Sequence, residues 1–307
     1  MMNDEVLNAL FLKESVSEIL LLSPTEIWFE EHGQLKKFQC PLKDEMTYEC
    51  VIRNLYQQLN KEPSLDIPFA SGELNGWRVQ MVAPPVSQFP QVSFRRQITS
   101  YSRFENLQAA KWCCDTDADS LRQLVRERKN IFVVGPTSSG KTTVLNALLA
   151  ETKPYERSLL IEDVPELKPP NPVSSSLLSR WDAQGVLKEI SLSDLLRHSL
   201  RLRPDRLVLG EVRGPEAKDL LMALATGHNG SMGTLHAEDV QGALMRLEML
   251  IQLGAPQWSL QTIRQLMKLC LQAIVVLKRD HNGFRRLEGI YEIASLEDFG
   301  FTIQKIN

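Results

Sequence analysis

The sequence predicts an α/β protein in which a smaller α+β domain precedes a larger domain with a mostly parallel sheet. Three observations lead to this prediction: a glycine-rich phosphate-binding pattern between a strand and a helix, a strand–helix alternation after residue 120, and a hairpin-rich pattern before residue 100. We therefore expect an N-terminal α+β domain over residues 1–100, a polar linker over 101–119 and the larger domain over 120–307.

Composition narrows the class of protein. The chain has 307 residues, 43% hydrophobic and 24% charged, as expected of a globular protein with two domains. Its net charge of -3 gives no strong nucleic-acid signal, because a phosphate backbone usually meets a basic face. The five cysteines lack C-x-x-C spacing, which indicates packing thiols in a reducing compartment rather than disulfides or zinc ligands.

Targeting signals are not indicated. The N-terminus lacks the basic region of a signal peptide, and no stretch approaches the ~18 consecutive apolar residues that span a bilayer. The sequence therefore predicts a cytoplasmic chain that associates with a membrane through a partner.

The elements of the first domain follow from local periodicity. Residues 6–22 and 48–59 have the apolar spacing of helices, whereas 26–38 alternates around His32-Gly33 and predicts a hairpin. Two extended segments, 76–83 and 91–97, flank a proline-rich turn.

The second domain alternates strand and helix patterns. Short apolar runs predict strands at 131–134, 158–162, 206–209, 231–235 and 273–277. Amphipathic patterns predict helices at 142–151, 192–202, 215–226, 240–252 and 258–271. A loop rich in proline and serine is expected at 168–184, and a C-terminal hairpin is expected around Asn282-Gly283.

Residues 135–143, G-P-T-S-S-G-K-T-T, fit the P-loop pattern G-x-x-x-x-G-K-[ST]. In such a loop, backbone N–H groups and the helix N-terminus bind phosphate. Lys141 would reach the β- and γ-phosphates, and the Thr142 hydroxyl would hold Mg²⁺. The candidate nucleotide-binding residues are the whole motif: Gly135, Pro136, Thr137, Ser138, Ser139, Gly140, Lys141, Thr142 and Thr143.

Two acidic segments follow. L-L-I-E-D-V-P-E-L, residues 159–167, places Glu162, Asp163 and Glu166 at the carboxyl end of a strand, where ligands bind in parallel sheets. A carboxylate there can hold Mg²⁺ through water or polarise an attacking water; the alternative is a solvent-exposed loop carboxylate. In the second segment, residues 200–214, Glu211 is the candidate base that orients water, while Gly210 occupies the position where an Asp is usual.

Three arginines surround Glu211 in the sequence: Arg201, Arg203 and Arg213. Guanidinium groups can neutralise the charge of a transferring phosphoryl group, and a neighbouring subunit could supply one of them. The alternative is that they form surface ion pairs with Glu211, Glu216 and Asp219.

T-G-H-N-G-S-M-G-T-L-H-A, residues 226–237, supplies His228 and His236 among three glycines. Either histidine could hydrogen-bond a phosphate or sense its loss, or could be a structural hydrogen-bonding group. A zinc site is not indicated, because no cysteine or third histidine lies nearby in the sequence.

These four segments, in this order, resemble the Walker A, Asp box, Walker B and His box of the ATPases that drive type II and type IV secretion and type IV pili. A glycine before the catalytic glutamate is typical of that family. The segments A-L-M-R-L-E-M-L (243–250) and I-R-Q-L (263–266) look like the tight-adherence (Tad/CpaF-type) pilus branch, near the conjugative-transfer ATPases. The resemblance is strong over roughly residues 65–290 and weak before them.

The resemblance implies a homo-hexameric ring whose subunits join a PAS-like N-terminal domain to a RecA-like motor domain, with ATP and Mg²⁺ between them. Arg78, Arg95 and Arg96 would reach the phosphates when the domains close, and His228 and His236 would couple the nucleotide to the interface. We assign catalysis to Glu211, Glu162, Lys141 and Arg213, and the metal ion to Thr142, Glu162 and Glu211.

The predicted function is ATP hydrolysis that drives pilus assembly or secretion, with the force applied to inner-membrane platform proteins. The alternatives are a conjugative-transfer or DNA-translocating ATPase and a nucleotide-binding scaffold without hydrolysis.

Overall fold

The computed structural model describes residues 5–39, 42, 44–61, 64–96, 103–180, 187–280, 283–297 and 300–306. The chain divides into two compact units: the first is Met1–Thr99 with His281–Phe284, and the second is Ser100–Asp280 with Arg285–Asn307. Each unit has its own hydrophobic core, as expected when a chain of this length folds as two domains.

The first unit is a six-stranded antiparallel sheet with helices on one face. Its elements are α1 (Glu5–Leu12), β1 (Val16–Leu21), β2 (Ile27–Glu31), β3 (Gln34–Lys37), α2 (Glu45–Gln58), β4 (Phe69–Leu74), β5 (Trp77–Val82) and β6 (Gln91–Arg96). The strand order is β3-β2-β1-β6-β5-β4. The predicted hairpin is confirmed, and its turn residues His32 and Gly33 both have positive φ, as a type I′ turn requires.

Two local predictions in this unit are wrong. Residues 6–22 form a helix only to Leu12 and then the strand β1, because Val16, Ile19 and Leu21 are buried at the centre of the sheet. Strand β4 lacks β-branched residues and was not predicted; it forms because β5 pairs with it along its whole length.

The second unit is an eight-stranded sheet between two layers of helices. Its first part contains α3 (Phe104–Ala109), α4 (Asp115–Arg126), β7 (Ile131–Gly135), α5 (Lys141–Ala150), β8 (Ser158–Glu162), β9 (Ser175–Leu178) and α6 (Leu192–Ser199). Its second part contains β10 (Arg206–Val212), α7 (Glu216–Ala225), β11 (Met232–His236), α8 (Val240–Gly254), α9 (Leu260–Cys270), β12 (Ala273–Arg279), β13 (Arg285–Glu297) and β14 (Gly300–Lys305).

The strand order of this sheet is β14-β13-β12-β7-β11-β10-β8-β9, with β12 to β9 parallel and the β12–β13–β14 end antiparallel. Alternate residues of β7 enter opposite cores: Phe132 and Val134 pack with α6 to α9, whereas Ile131 and Val133 pack with α3 to α5. A strand buried on both faces reads as a continuous apolar run, which is why the sequence predicted these strands well.

The segment that the sequence predicts as a linker, 101–119, differs in the structure. Its described residues hold α3 and the start of α4, and Phe104, Leu107 and Trp112 are buried in the second core. Residues 101 and 102 lie outside the described part. The apolar residues are spaced among polar ones, so composition alone suggests an exposed connection there.

Other differences are smaller. Strand β9 lies within the predicted loop 168–184, of which residues 181–184 are outside the described ranges, and β14 was not predicted. The predicted turn residue Asn282 also lies outside the described ranges. In the residues that the structure describes, no helix is long and apolar enough to cross a membrane.

Candidate nucleotide-binding site

The parallel strands of the second unit bring four motifs to one edge of the sheet. The carboxyl ends of β7, β8, β10 and β11 carry Gly135, Glu162, Glu211 and His236, and His236 lies directly opposite Gly135 in the β7–β11 register. The edge formed by these carboxyl ends is where ligands bind in open α/β sheets.

The P-loop connects β7 to α5 through two left-handed residues, Ser138 (φ 60°) and Gly140 (φ 91°). Gly140 caps α5, so the N–H groups of the first helical turn point into the loop. Lys141 Nζ donates to Gly135 O and Pro136 O at 2.9 Å each. The loop thus presents backbone donors, a helix N-terminus and an ammonium group within nine residues, which is an anion-binding arrangement.

Thr142 lies at the start of α5 beside the loop that follows β8. Its hydroxyl donates to Glu166 Oε2 at 3.1 Å. Asn146, one turn further along α5, holds the same loop by donating to Glu166 O at 3.2 Å and accepting from Lys168 N at 3.0 Å. Asn146 belongs to none of the sequence motifs; its one signal is a polar residue within the apolar run V-L-N-A-L-L.

Glu162 is almost fully buried at the end of β8. Its Oε1 accepts from Glu166 N at 2.9 Å and Leu167 N at 2.8 Å, and its Oε2 has no hydrogen-bond partner among the described residues. Burial raises the pKa of this carboxyl to about 7, although the two backbone donors act in the opposite direction. Glu162 therefore shapes the loop that carries Glu166.

Gly210 is required where β10 passes Glu162. A Cβ at this position would lie 3.0 Å from Glu162 Cγ and 3.4 Å from Oε1, which is tight packing. The next residue, Glu211, is half-buried, and the β10–β11 register shifts between Leu209 and Val212. A bulge of this kind re-aims a side chain at the edge of a sheet.

Arg213 contributes to the same edge. It forms an ion pair with Asp163, which also accepts a hydrogen bond from Ser179. Glu216 accepts from Arg213 N and Gly214 N at 2.7 Å each, so it caps the turn before α7. The structure thus gives Arg213 an ion pair, but with Asp163 and not with the carboxylates that the sequence suggested; the pair is partly exposed and therefore compatible with a catalytic role.

Three predicted site residues lie at the opposite edge of the sheet within this chain. Arg201 and Arg203 precede β10 and are exposed, and His228 precedes β11, with its Nδ1 3.0 Å from Ala223 O. The expectation that Arg201 and Arg203 surround Glu211 is therefore wrong for one chain. These arginines are close to Glu211 in the sequence but not in the structure, because the seven residues of β10 separate the two edges of the sheet.

The three arginines of the first unit that were predicted to bind phosphate differ in their surroundings. Arg78 and Arg95 lie directly opposite each other on the exposed face of β5 and β6. Arg96 faces the core: it donates to Val16 O (2.7 Å), Phe11 O (3.0 Å) and Lys13 O (2.8 Å), and its guanidinium lies 4.2 Å from the Trp77 ring centroid. These contacts commit Arg96 to the fold of its own unit.

The residues at the edge suit a magnesium ion bound with phosphates. Within the described ranges, no group of three or more His, Cys, Asp or Glu side chains is placed to hold a metal ion. Magnesium in nucleotide sites, however, takes most ligands from water and phosphate. Thr142 and Glu166 offer a hydroxyl and a carboxylate in contact, whereas Glu162 Oε1 is occupied by backbone donors.

Comparisons with known proteins show the family to which the chain belongs. Residues 71–292 match the type II/IV secretion system protein family. A putative conjugal transfer protein of Mycobacterium tuberculosis (strain ATCC 25618 / H37Rv) is 31% identical over 300 residues, which are 95% of this chain and 85% of that protein. The type IV secretion system protein PtlH of Bordetella pertussis is 28% identical over 293 residues, 87% of this chain and 86% of that one.

A solved structure with the same architecture is the VirB11 ATPase from the Brucella suis type IV secretion system, in complex with sulphate. It has 26% sequence identity and a TM-score of 0.51, over 93% of this chain and 92% of that one. The predicted fold class, a RecA-like P-loop domain with a smaller α+β domain, is thereby confirmed.

Proposed function

Because the chain belongs to the type II/IV secretion system protein family, we propose that it hydrolyses ATP to drive a secretion or pilus machine. One observation carries the proposal: the P-loop, the Glu162–Glu166 loop and Glu211 meet at one edge of a single sheet. Together they supply the phosphate cradle, the metal ligands and the base that phosphoryl transfer to water requires.

The roles follow from the contacts. Lys141 and the backbone of residues 135–143 would bind the phosphates, and Thr142 with Glu166, which are in contact, would hold the metal ion. Magnesium would supply charge neutralisation at the transferring phosphoryl group. Glu211, half-buried and re-aimed by the bulge, orients the attacking water. We assign Glu162 to positioning of the Glu166 loop rather than to the metal ion.

The arrangement of the remaining arginines and His228 supports a ring. Arg201, Arg203 and His228 lie at the sheet edge opposite the P-loop, so they can serve a nucleotide only in a neighbouring subunit. Arg78 and Arg95 place two positive charges side by side on a sheet face, an arrangement that a phosphate stabilises. We propose that the chain forms a homo-hexamer that docks on inner-membrane platform proteins. In this hexamer the ATP is bound with the help of Arg78, Arg95, Arg201, Arg203 and His228.

The named relatives favour a type IV secretion or conjugal-transfer machine. One relative is named a putative conjugal transfer protein and another a type IV secretion system protein. The assignment to the tight-adherence pilus branch stays a prediction. ATPase activity that rises when DNA is added would favour the DNA-translocating alternative.

The test is phosphate release by the purified chain and two variants. Lys141→Ala is expected to lose ATP binding, because the ammonium group of the P-loop is removed. Glu211→Gln is expected to bind ATP but to release phosphate about a hundredfold more slowly, as loss of a general base predicts.

The matched control is Glu292→Gln, an exposed carboxylate on β13, which should leave turnover unchanged. Near-normal turnover by Glu211→Gln would remove its assignment as the base. A wild-type chain that neither binds nor hydrolyses ATP would overturn the proposed function.

A further inference from the structure

The C-terminal hairpin β12–β13 carries four cations that none of the four motifs includes. In its antiparallel register, Lys278 lies opposite Arg286 and Arg279 lies opposite Arg285. These two consecutive cross-strand pairs concentrate positive charge at this end of the hairpin.

The hairpin is adjacent to the P-loop because β12 pairs in parallel with β7. Val276 lies opposite Val134, and a Cβ built at Gly135 would lie 3.1 Å from both Leu277 Cβ and Leu277 O. The carboxyl end of β12, and therefore the base of the hairpin, lies beside the first residue of the P-loop.

Alternation along the strands separates the four cations into two faces. Leu277 packs in the core that contains α5, so Arg279, two residues later, shares that face, and Arg285 joins it as the cross-strand partner. Lys278 and Arg286 take the other face, where Lys278 forms an ion pair with Glu288. Of the two cross-strand pairs, the Arg279–Arg285 pair therefore lies on the face of the sheet that α5 covers.

Arg285 reaches the P-loop itself. Its Cδ would lie 3.6 Å from a Cβ built at Gly140, so the arginine stem passes over the glycine that caps α5. A guanidinium group and a helix N-terminus are both positive. An anion held between them would be attracted by both, and Lys141 adds a third positive group at the same place.

We propose that Arg285 is a phosphate ligand of the nucleotide that the P-loop binds, with Arg279 beside it. This inference rests on the ATP site proposed above. This assigns to the C-terminal hairpin a direct role in triphosphate binding within the same chain. The ligand class is a nucleoside di- or triphosphate, because the arginine lies over the phosphate-binding turn.

The experiment compares Arg285→Ala with Arg286→Ala, its neighbour on the opposite face of β13, by calorimetric titration of the full chain with ADP and Mg²⁺. Arg285→Ala is expected to weaken ADP binding about tenfold or more, the effect of one charge-assisted hydrogen bond. Arg286→Ala should stay within about twofold of the wild type, since its side chain is exposed on the other face. Arg285→Lys, which keeps a cation but loses the planar fork, should fall between them.

Thermal unfolding without nucleotide shows whether Arg285→Ala is folded; if it is not, the comparison of Arg285→Lys with Arg286→Lys decides. Equal ADP affinity of the Arg285 and Arg286 variants would overturn the assignment while leaving the P-loop site intact. Failure of the wild type itself to bind ADP would instead overturn the proposed function.

Discussion

At the scale of single residues, the least expected feature is that Glu162 does not present its carboxylate to solvent. The sequence places it among the metal-binding acids, yet its Oε1 binds two backbone N–H groups and its Cγ packs on Gly210. A buried carboxyl with a pKa of about 7 is largely protonated in mildly acidic solution. The residue therefore acts on Glu166 and Thr142 through the loop it anchors.

This burial predicts a pH dependence of stability. The folded pKa of about 7 exceeds the unfolded value of 4.5, so the folded chain binds the additional proton between these values. Stability from this group is therefore lost as pH rises from about 4.5 to 7 and is constant above that range. The unfolding free energy of the wild type relative to Glu162→Gln should fall across this window, by on the order of 3 kcal/mol.

Urea titrations of both proteins at several pH values measure this difference. Glu292→Gln, on the exposed side of β13, should show no such trend. A difference between wild type and Glu162→Gln that rises with pH would show that the carboxyl is ionised when folded.

At the scale of elements, the edge opposite the P-loop is held by a buried ion pair. Arg206, 1% exposed, pairs with Glu156 and donates to Gly230 O and Val125 O at 2.9 Å each. Asn130 Oδ1 accepts from Gly230 N and Ser231 N on the same loop. The loop that contains His228 is therefore fixed to Asn130, the residue before β7, and to Arg206, the first residue of β10.

Arg206→Met is expected to lower the unfolding free energy by about 3 kcal/mol, because the Glu156 carboxylate then keeps only its longer ion pair with Arg128, at 3.6 Å. Arg201→Met, at an exposed position before β10, should change the unfolding free energy by less than about 0.5 kcal/mol. Chemical denaturation of the two variants provides the measurement. Equal stabilities would mean that the pair contributes nothing net.

At the scale of the whole molecule, the two edges of the sheet divide the proposed catalytic groups. The P-loop and Glu211 lie at one edge and Arg201, Arg203 and His228 at the other. If a ring closes one edge against the next subunit's opposite edge, the groups of two chains complete each site.

Mixing inactive chains tests this arrangement. One chain carries Lys141→Ala; the other carries Arg201→Ala with Arg203→Asn, since Asn tolerates the φ of 55° at position 203. Mixed rings should recover ATPase activity, because an intact P-loop can lie beside intact arginines. A mixture of Lys141→Ala with Glu211→Gln chains should not recover, since both groups act at the same edge; absence of recovery in the first mixture contradicts action between subunits.

Much of the fold followed from local patterns. The strands β7, β8, β10 and β12 contain apolar runs long enough to cross a core, and the helices between them have apolar residues at helical spacing. The apolar spacing of residues 16–21 fits both a helix and a strand. These residues form a strand because they lie at the centre of their sheet.

The sequence alone determined the P-loop, its strand and helix, and the order of the acidic motifs, because phosphate binding needs consecutive residues of fixed type. Tertiary structure decided which side chains share an edge. Strand order and direction place His236 beside Gly135, Arg285 over Gly140 and His228 at the far end, although their separations along the chain indicate none of this. Pairing between distant strands depends on packing of the whole sheet, and such packing leaves no local pattern to read.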